Sequence, residues 1–259
     1  MHLDLVPMDL ALLIGGGFIA GVLDAIVGGG GLITVPIFLF ILGPQASAIG
    51  TNKIAAVAAQ LTAFAIYFKN RQVDFKQAYR IVGTTSLGAV LGALIAPTLP
   101  SAFFKWFLLI VAPIVLTLVF TKRLWNKERH RPRTTTGIGI AGTIGTFFAG
   151  LYDGVAGPGG GTMMFLSLFV LGGMPAAIAM GTGKLANLGS ASLSLATFSV
   201  QGHVHWFLGT LVAIPIAFGA WIGARYSARM ANDGKAQALA RTALVIVSAL
   251  LIARWYLTI

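Results

Sequence analysis

The sequence predicts an all-α polytopic membrane protein built from two inverted repeats, on the basis of three observations. Of its 259 residues, 57% are hydrophobic and only 10% are charged, whereas about a quarter are charged in an average soluble domain. Apolar stretches of about 20 residues, the length that crosses a bilayer as a helix, recur along almost the whole chain. Two glycine runs, each shortly after an aspartate, interrupt this pattern. A β-barrel would show short alternating segments instead.

The charge and cysteine content narrow the function classes. The formal net charge is +11, which in a soluble protein would favour a nucleic-acid partner. Here the basic residues lie between apolar stretches, as cytoplasmic loops require, so we expect no nucleic-acid partner. The chain has no cysteine, which excludes disulfides, thiol catalysis and cysteine-ligated metals. The first residues lack the basic region of a signal peptide, so we interpret the first apolar stretch as retained.

The first apolar stretch, residues 6–27, runs into the glycine run 28–31 within the sequence DAIVGGGGLITVP of residues 24–36. Each glycine in a helix costs about 1 kcal/mol relative to alanine, so the helix should break and a new one should open at Leu32. The segment 32–42 would be about 16 Å long, roughly half a bilayer core. We therefore expect a re-entrant hairpin with a half-helix, whose broken backbone faces protein or a water-filled cavity.

The rest of the first half is predicted to cross the membrane three times, at residues 46–68, 81–96 and 103–120. A basic loop at 69–80 joins the first two of these spans. A strongly basic stretch follows at 122–133. We interpret it as a cytoplasmic connector between two halves and not as a nucleic-acid or lipid-binding patch.

The second half repeats the first. FFAG followed by Asp153 matches FIAG followed by Asp24, and the glycine run recurs as GPGGG over residues 157–161, before a helix expected to open at Thr162. After a shift of two residues, AMGTGK ending at Lys184 matches AIGTNK ending at Lys53. The chain is therefore predicted to consist of a repeat at 1–121, the connector at 122–133 and a repeat at 134–259.

Loop charges predict that the two repeats are inverted. The loop that corresponds to 69–80 is 201–205 in the second repeat and carries no Lys or Arg, whereas the next loop is basic. The positive-inside rule therefore places equivalent loops on opposite faces of the membrane. Each repeat would contain one broken-helix hairpin and about three full transmembrane helices, with both termini outside.

Four ionisable residues lie within the apolar segments, namely Asp24, Lys53, Asp153 and Lys184. Charges at membrane depth are costly and rare, which makes these residues functional candidates. An alternative stays open, in which the aspartates only pair with the lysines or cap the broken helices. The lysines lie near the starts of their helices and could also extend toward the membrane surface.

The glycine runs have the chemistry of an anion site. Free N–H groups and the dipole at a helix start favour an anion, and glycine lets a ligand approach the backbone. Pro158 has no N–H, so the second loop should be stiffer and have one donor fewer. Close helix packing is the competing explanation of glycines. It fits Gly15 to Gly17, Gly88, Gly92, Gly219 and Gly223 better than four contiguous glycines.

The predicted substrate-binding residues are the glycines of both runs and the polar residues that open the following helices. They are Gly28, Gly29, Gly30, Gly31, Thr51, Asn52, Lys53, Gly157, Gly159, Gly160, Gly161, Thr182 and Lys184. Asp24 and Asp153 are the candidates for proton coupling. No cofactor, metal or catalytic residue is expected, because His203 and His205 are spaced for a strand and the GTGK run lacks the spacing of a phosphate-binding loop.

These motifs resemble a known family. DAIVGGGGLITVP at 24–36, followed by GTNK at 50–53, resembles the signature of the TauE/SafE sulfite exporter family, and YDGVAGPGGG at 152–161 resembles its second-half motif. The resemblance spans nearly the whole chain. It implies a multi-pass transporter of the prokaryotic inner membrane, with the central basic loop in the cytoplasm, for sulfite, sulfoacetate or another organosulfonate. Gly183 stands where the first repeat has Asn52, so an amide contact could exist in one half only.

The expected function is secondary transport of a small sulfur-containing anion by alternating access, with the substrate bound between the two glycine-rich loops. A passive anion channel on the same scaffold and a transporter of a non-sulfur anion remain alternatives. An enzyme is not expected, since the chain lacks cysteine and clustered histidines. The expected partners are the small anion and the lipid bilayer, and the chain could assemble as a homodimer.

Overall fold

The computed structural model describes residues 6–43, 45–104, 106, 110 and 138–229, and every regular element within these ranges is helical. The predicted span 103–120, apart from four residues at its start, lies outside the described residues. So do the connector 122–133 and the part of the second repeat after residue 229. The architecture below therefore concerns the two glycine-rich hairpins and the long helices that follow them.

The first half consists of five helices. They are α1 (Pro7–Ala11), which continues through a π-helical turn (Leu12–Gly16) into α2 (Gly17–Val27), then α3 (Gly31–Leu42), α4 (Ala46–Lys69) and α5 (Phe75–Ile95), which ends in a 3₁₀ turn (Ala96–Thr98). The described second half consists of four more. They are α6 (Gly139–Val155), α7 (Gly160–Leu166), which continues as a π-helical turn (Ser167–Leu171), α8 (Ala176–Val200) and α9 (Trp206–Arg229).

Helix length and apolar composition establish a polytopic membrane protein. Four helical stretches among the described residues are long and apolar enough to cross a membrane, namely Pro7–Ile26, Ala46–Lys69, Phe75–Thr98 and Trp206–Arg229. Two shorter apolar helices, Gly31–Leu42 and Gly160–Leu171, follow the glycine runs. At 1.5 Å per residue, a helix of 12 residues is about 18 Å long, well short of a bilayer core.

Three helix starts differ from those expected. Helix α3 opens at Gly31 and not at Leu32, and α7 opens at Gly160 and not at Thr162. The last glycines of each run are helical. Gly31 begins α3 directly after Gly30, whose N–H donates to Asp24 Oδ1, and Gly160 and Gly161 begin α7. Helix α5 opens at Phe75, six residues before the expected span, because the Asp74 side chain accepts a hydrogen bond from the Lys76 backbone N–H at 3.0 Å and caps the helix.

The helices pack in matched pairs that join the two halves. Helix α2 packs against α9 as α6 packs against α5, and α4 and α8 pack against each other between these pairs. Glycines make the approach close. A Cβ on Gly219 would lie 2.1 Å from the Phe18 carbonyl oxygen, and one on Gly88 would lie 2.2 Å from the Phe147 carbonyl oxygen. The structure thus has the close helix packing expected of these glycines.

Candidate functional site

The two glycine runs meet backbone to backbone in the interior. Helix α2 ends at Gly28, whose φ of +87° is a left-handed conformation that glycine adopts without strain. A Cβ on Gly28 would lie 3.0 Å from the Gly161 carbonyl carbon. A Cβ on Gly31 would lie 3.0 Å from the Gly157 carbonyl oxygen. The absence of side chains therefore allows the two loops to touch.

The two loops are held differently. In the first, the Gly30 N–H donates to Asp24 Oδ1 at 3.0 Å, so the aspartate caps the start of α3. The second loop has two left-handed glycines, Gly157 and Gly159, on either side of Pro158. The Tyr152 hydroxyl donates to the Pro158 carbonyl oxygen. Proline restricts φ and the tyrosine ties its carbonyl, so the second loop has the more constrained backbone.

The four ionisable residues form two buried ion pairs that cross between the halves. Lys184 Nζ on α8 lies 2.8 Å from Asp24 Oδ2 on α2, and Lys53 Nζ on α4 lies 2.9 Å from Asp153 Oδ2 on α6. Each lysine also donates to the backbone oxygen of its aspartate, at 2.6 Å for Lys184 and 2.5 Å for Lys53. All four side chains are buried, so the lysines do not extend toward the surface.

Each aspartate has one more side-chain donor. Gln60 Nε2 donates to Asp24 Oδ2 at 2.8 Å, and Ser190 Oγ donates to Asp153 Oδ2 at 2.7 Å. Each carboxylate is thus contacted by a lysine of the other half and by a neutral donor of its own half. Both ion pairs therefore belong to buried hydrogen-bond networks.

A small cavity lies between the glycine loops. Its volume is about 20 Å³, which is room for about one water molecule. Glycines of both runs line it together with the side chains of Asp24, Thr34, Asn52, Gln60, Asp153 and Asn187. Neither Lys53 nor Lys184 is among the lining residues. A ligand in the cavity would thus meet amides, backbone and carboxylates before it meets an ammonium group.

Several polar groups around the cavity lack hydrogen-bond partners among the described residues. The side-chain oxygens of Asn52, Gln60 and Asn187 are buried and unpaired. The backbone N–H groups of Gly159 and Gly161 likewise have no acceptor within the described ranges. Native proteins pair nearly all buried polar groups, so a group of unpaired donors and acceptors around one cavity is typical of a ligand or water site.

The structure separates the sequence-predicted residues into two sets. The residues that line the cavity are Gly28, Gly30, Gly31, Asn52, Gly157, Gly159, Gly160 and Gly161, with the coupling candidates Asp24 and Asp153. The residues outside its lining are Gly29, Thr51, Lys53, Thr182 and Lys184. A substrate-binding role for either set stays a prediction.

The two threonines hold loops. Thr51 Oγ1 accepts from the His205 N–H at 2.9 Å, and Thr182 Oγ1 accepts from the Asp74 N–H at 2.9 Å. Each bond joins the start of a central helix to the connector of the other half. His203 and His205 lie in the connector 201–205, and the described residues contain no group of three potential metal-ligating side chains.

Sequence reasoning missed Gln60 and Asn187. Asn187 lies one helical turn after Lys184 and carries an amide into the cavity from the second half, although Gly183 carries none. Its counterpart in the first half is Ala56, which also lines the cavity. Amides from both halves therefore contribute. The available signal was an asparagine three residues after the intramembrane Lys184, and so on the same helix face, within a helix of mostly small residues.

Several apolar spans around broken helices and a buried polar cavity define a helical membrane transporter. The chain belongs to the family described as "Sulfite exporter TauE/SafE", which it matches over residues 13–254.

Relatives with transporter names support this class. The chain is 33% identical to a "Probable membrane transporter protein" of Haemophilus influenzae over 95% of its own length and 93% of the relative. It is 30% identical to "Probable membrane transporter protein YfcA" of Escherichia coli, over 96% and 90% respectively. It is 26% identical to "Probable membrane transporter protein YunE" of Bacillus subtilis, over 85% and 88%. No solved structure matches the chain.

Proposed function

We propose that this membrane transporter is a secondary carrier of a small sulfur-containing anion, which it binds between the two glycine-rich loops. The observation that supports this most is the cavity where the loops meet, because unpaired backbone N–H groups and side-chain amides surround it. Such groups bind oxyanions without a full counter-charge. Sulfite is the substrate that the family description names, and we extend the proposal to sulfoacetate and other organosulfonates because they present similar sulfur-bound oxygens.

The ion pairs suggest how an anion and a proton would be coupled. Asp24 and Asp153 line the cavity, and each forms an ion pair with a lysine, Asp24 with Lys184 and Asp153 with Lys53. An anion that enters between two carboxylates is repelled unless one of them takes up a proton. Protonation of Asp24 would release Lys184 to attract the anion, and the same holds for Asp153 and Lys53. Anion and proton would then bind together, which is the linkage that a symporter needs.

Alternating access would come from movement of one inverted repeat against the other. The matched packing of α2 with α9 and of α6 with α5 supports such a two-fold arrangement. A cavity of about 20 Å³ is too small for any of the proposed anions. This conformation is therefore closed, and substrate entry requires the loops to separate.

Flux through liposomes tests the proposal. Purified protein is reconstituted, loaded with an internal pH dye, and exposed to sulfite, sulfoacetate or a small carboxylate. A coupled carrier gives slow, saturable uptake that moves internal pH, whereas the channel alternative gives large currents without saturation. Uptake of the carboxylate with no uptake of either sulfur anion would mean that the protein carries a non-sulfur anion. Absence of flux for all three anions would contradict the proposal.

A further inference from the structure

We infer that the cavity selects the protonated, singly charged form of a small oxyanion, and that Gln60 Oε1 accepts the hydrogen bond from its O–H group. This inference rests on the proposed function, since it assigns the chemical form of the anion at the same site. Two features support it, namely the orientation of the buried Gln60 amide and the charge balance of the ionisable groups around the cavity.

The orientation of Gln60 follows from its chemical partner. Its Nε2 lies 2.8 Å from Asp24 Oδ2, and a carboxylate that is already paired with a lysine can only accept hydrogen bonds. The amide nitrogen of Gln60 therefore faces Asp24. The Gln60 oxygen consequently points elsewhere. It is buried and unpaired among the described residues, and Gln60 lines the cavity.

A buried acceptor of this kind requires a donor from whatever occupies the cavity. A metal cation is a poor candidate, because hard cations gather six or more oxygen ligands. The two Asp24 oxygens already accept from Gly30, Gln60 and Lys184. Few oxygens then remain for a cation, and Lys184 would repel it. An O–H group needs only one acceptor, which Gln60 provides.

The rest of the lining suits the other oxygens of such an anion. The side-chain amides of Asn52 and Asn187 make no hydrogen bond within the described ranges, so each can turn its NH₂ group to a ligand. Gly159 and Gly161 offer backbone N–H groups from the second loop. An anion with one hydroxyl and two unprotonated oxygens, such as the S–OH form of hydrogensulfite, matches this set of one acceptor and several donors.

Charge favours the same form. The phenol hydroxyls of Tyr67 on α4 and Tyr152 on α6 also lie at this depth and donate to backbone oxygens. The charged groups there are Asp24 on α2, Lys53 on α4, Asp153 on α6 and Lys184 on α8. They form two neutral pairs, so protonation of Asp153, the coupling candidate that leaves the contact between Asp24 and Gln60 intact, would free one positive charge, which compensates a monoanion and not a dianion. In a medium of low dielectric constant the second negative charge of sulfite would be strongly disfavoured. The hydrogen on the anion thus removes a charge and fills the free acceptor.

The test compares sulfite with methanesulfonate, a sulfur oxyanion that carries one negative charge and no hydroxyl group at either pH of the test. Binding to the purified protein is measured by calorimetry well below and well above the second ionisation of sulfite. Wild-type protein is expected to bind sulfite about tenfold or more tightly at the lower pH. Any change in methanesulfonate binding between the two conditions reports titration of the protein alone. Gln60→Met should weaken sulfite binding at low pH about 5- to 13-fold, the central to upper range for one lost hydrogen bond, and leave methanesulfonate within twofold.

Ser190→Ala is the matched control, because it removes a donor to Asp153 as Gln60→Met removes one to Asp24, without removing an acceptor from the cavity. It should retain the preference for sulfite over methanesulfonate at low pH. If the affinities of the two anions for wild-type protein depend equally on pH, the inference is overturned but the proposed function is not. Equal losses of affinity for both anions in Gln60→Met would have the same consequence. If the Gln60 oxygen accepts only from a water molecule, equal losses of both anions in Gln60→Met are expected. Failure of wild-type protein to bind either anion would overturn the proposed function as well.

Discussion

Lys184 Nζ on α8 lies 2.8 Å from Asp24 Oδ2 and 2.6 Å from the Asp24 backbone oxygen on α2, so a lysine of the second half neutralises the aspartate of the first. Lys53 does the same for Asp153 in the opposite direction. Because each pair joins the two halves beside the glycine loops, relative movement of the halves must change both pairs. A buried ion pair of this kind contributes little to net stability, but removal of only one partner is strongly destabilising because the other charge stays buried and unpaired.

Removal of a single lysine should therefore destabilise the protein more than removal of the pair. Lys184→Ala leaves Asp24 charged, buried and unpaired, and we expect a loss of about 3–5 kcal/mol in the free energy of unfolding. Lys184→Ala combined with Asp24→Asn should recover part of this loss. Unfolding in detergent across the double-mutant cycle measures the coupling, and Lys69→Ala, at the exposed end of α4, serves as the control. Additive effects in the cycle would show that the two residues are not coupled.

Asn187→Ala should weaken anion binding without loss of stability. The Asn187 amide oxygen is buried and unpaired, and such a group contributes nothing to folding that alanine would lose. Loss of one hydrogen bond to a ligand corresponds to about 1 kcal/mol, roughly a fivefold change in affinity. Calorimetry with sulfite and a thermal melt measure the two quantities on the same sample.

Asn70→Ala supplies the opposite control. The Asn70 side chain donates to the Ile66 carbonyl oxygen at 2.7 Å at the end of α4, away from the cavity. It should lower the melting temperature slightly and leave the affinity unchanged. A large loss of stability in Asn187→Ala with unchanged affinity would mean that the amide serves the fold and not the ligand.

Two glycines of α5 should respond in opposite ways to alanine. A Cβ on Gly88 would lie 2.2 Å from the Phe147 backbone oxygen, whereas one on Gly83 would meet nothing within 4 Å. Gly88→Ala must push α5 and α6 apart, and overpacking of this kind costs about 1–3 kcal/mol or more. Gly83→Ala should gain up to about 1 kcal/mol through helix propensity alone. Thermal unfolding of the two variants measures the difference, and equal melting temperatures would argue against the close packing of α5 on α6.

The break at the glycine run and the short apolar helix after it could be predicted from sequence, because contiguous glycines and helix length are local properties. The sequence could not distinguish a pairing of Lys184 with Asp24 from a lysine that extends toward the membrane surface. The pairing depends on how α8 lies against α2, which no local pattern specifies. The predicted start of α5 is too late, because basic residues such as Lys76 and Arg80 are typical of a loop, whereas the Asp74 cap lets the helix begin before them.

The cavity lining shows the same limit. Alignment of the two repeats pairs Asn52, which has a side-chain amide, with Gly183, which has none. The second half brings its amide from Asn187, four residues further along the same helix. Gln60 escaped notice because a single glutamine among alanines has no meaning until its neighbour Asp24 is known. Sequence thus locates the helices that form the site, while tertiary packing selects the side chains.

The contact between the two glycine loops leads to a last prediction. Gly28 and Gly202 both have a positive φ, +87° and +76°, so alanine at either position costs about 1–2 kcal/mol of backbone strain. A Cβ on Gly202 would meet nothing within 4 Å, whereas one on Gly28 would lie 3.0 Å from both the Gly161 carbonyl carbon and the Thr162 nitrogen. Gly28→Ala should therefore also displace the second loop and lower sulfite flux into liposomes at least several-fold. Gly202→Ala should lower stability only, with flux per folded molecule unchanged. Equal flux in the two variants would show that the loops need not touch for transport.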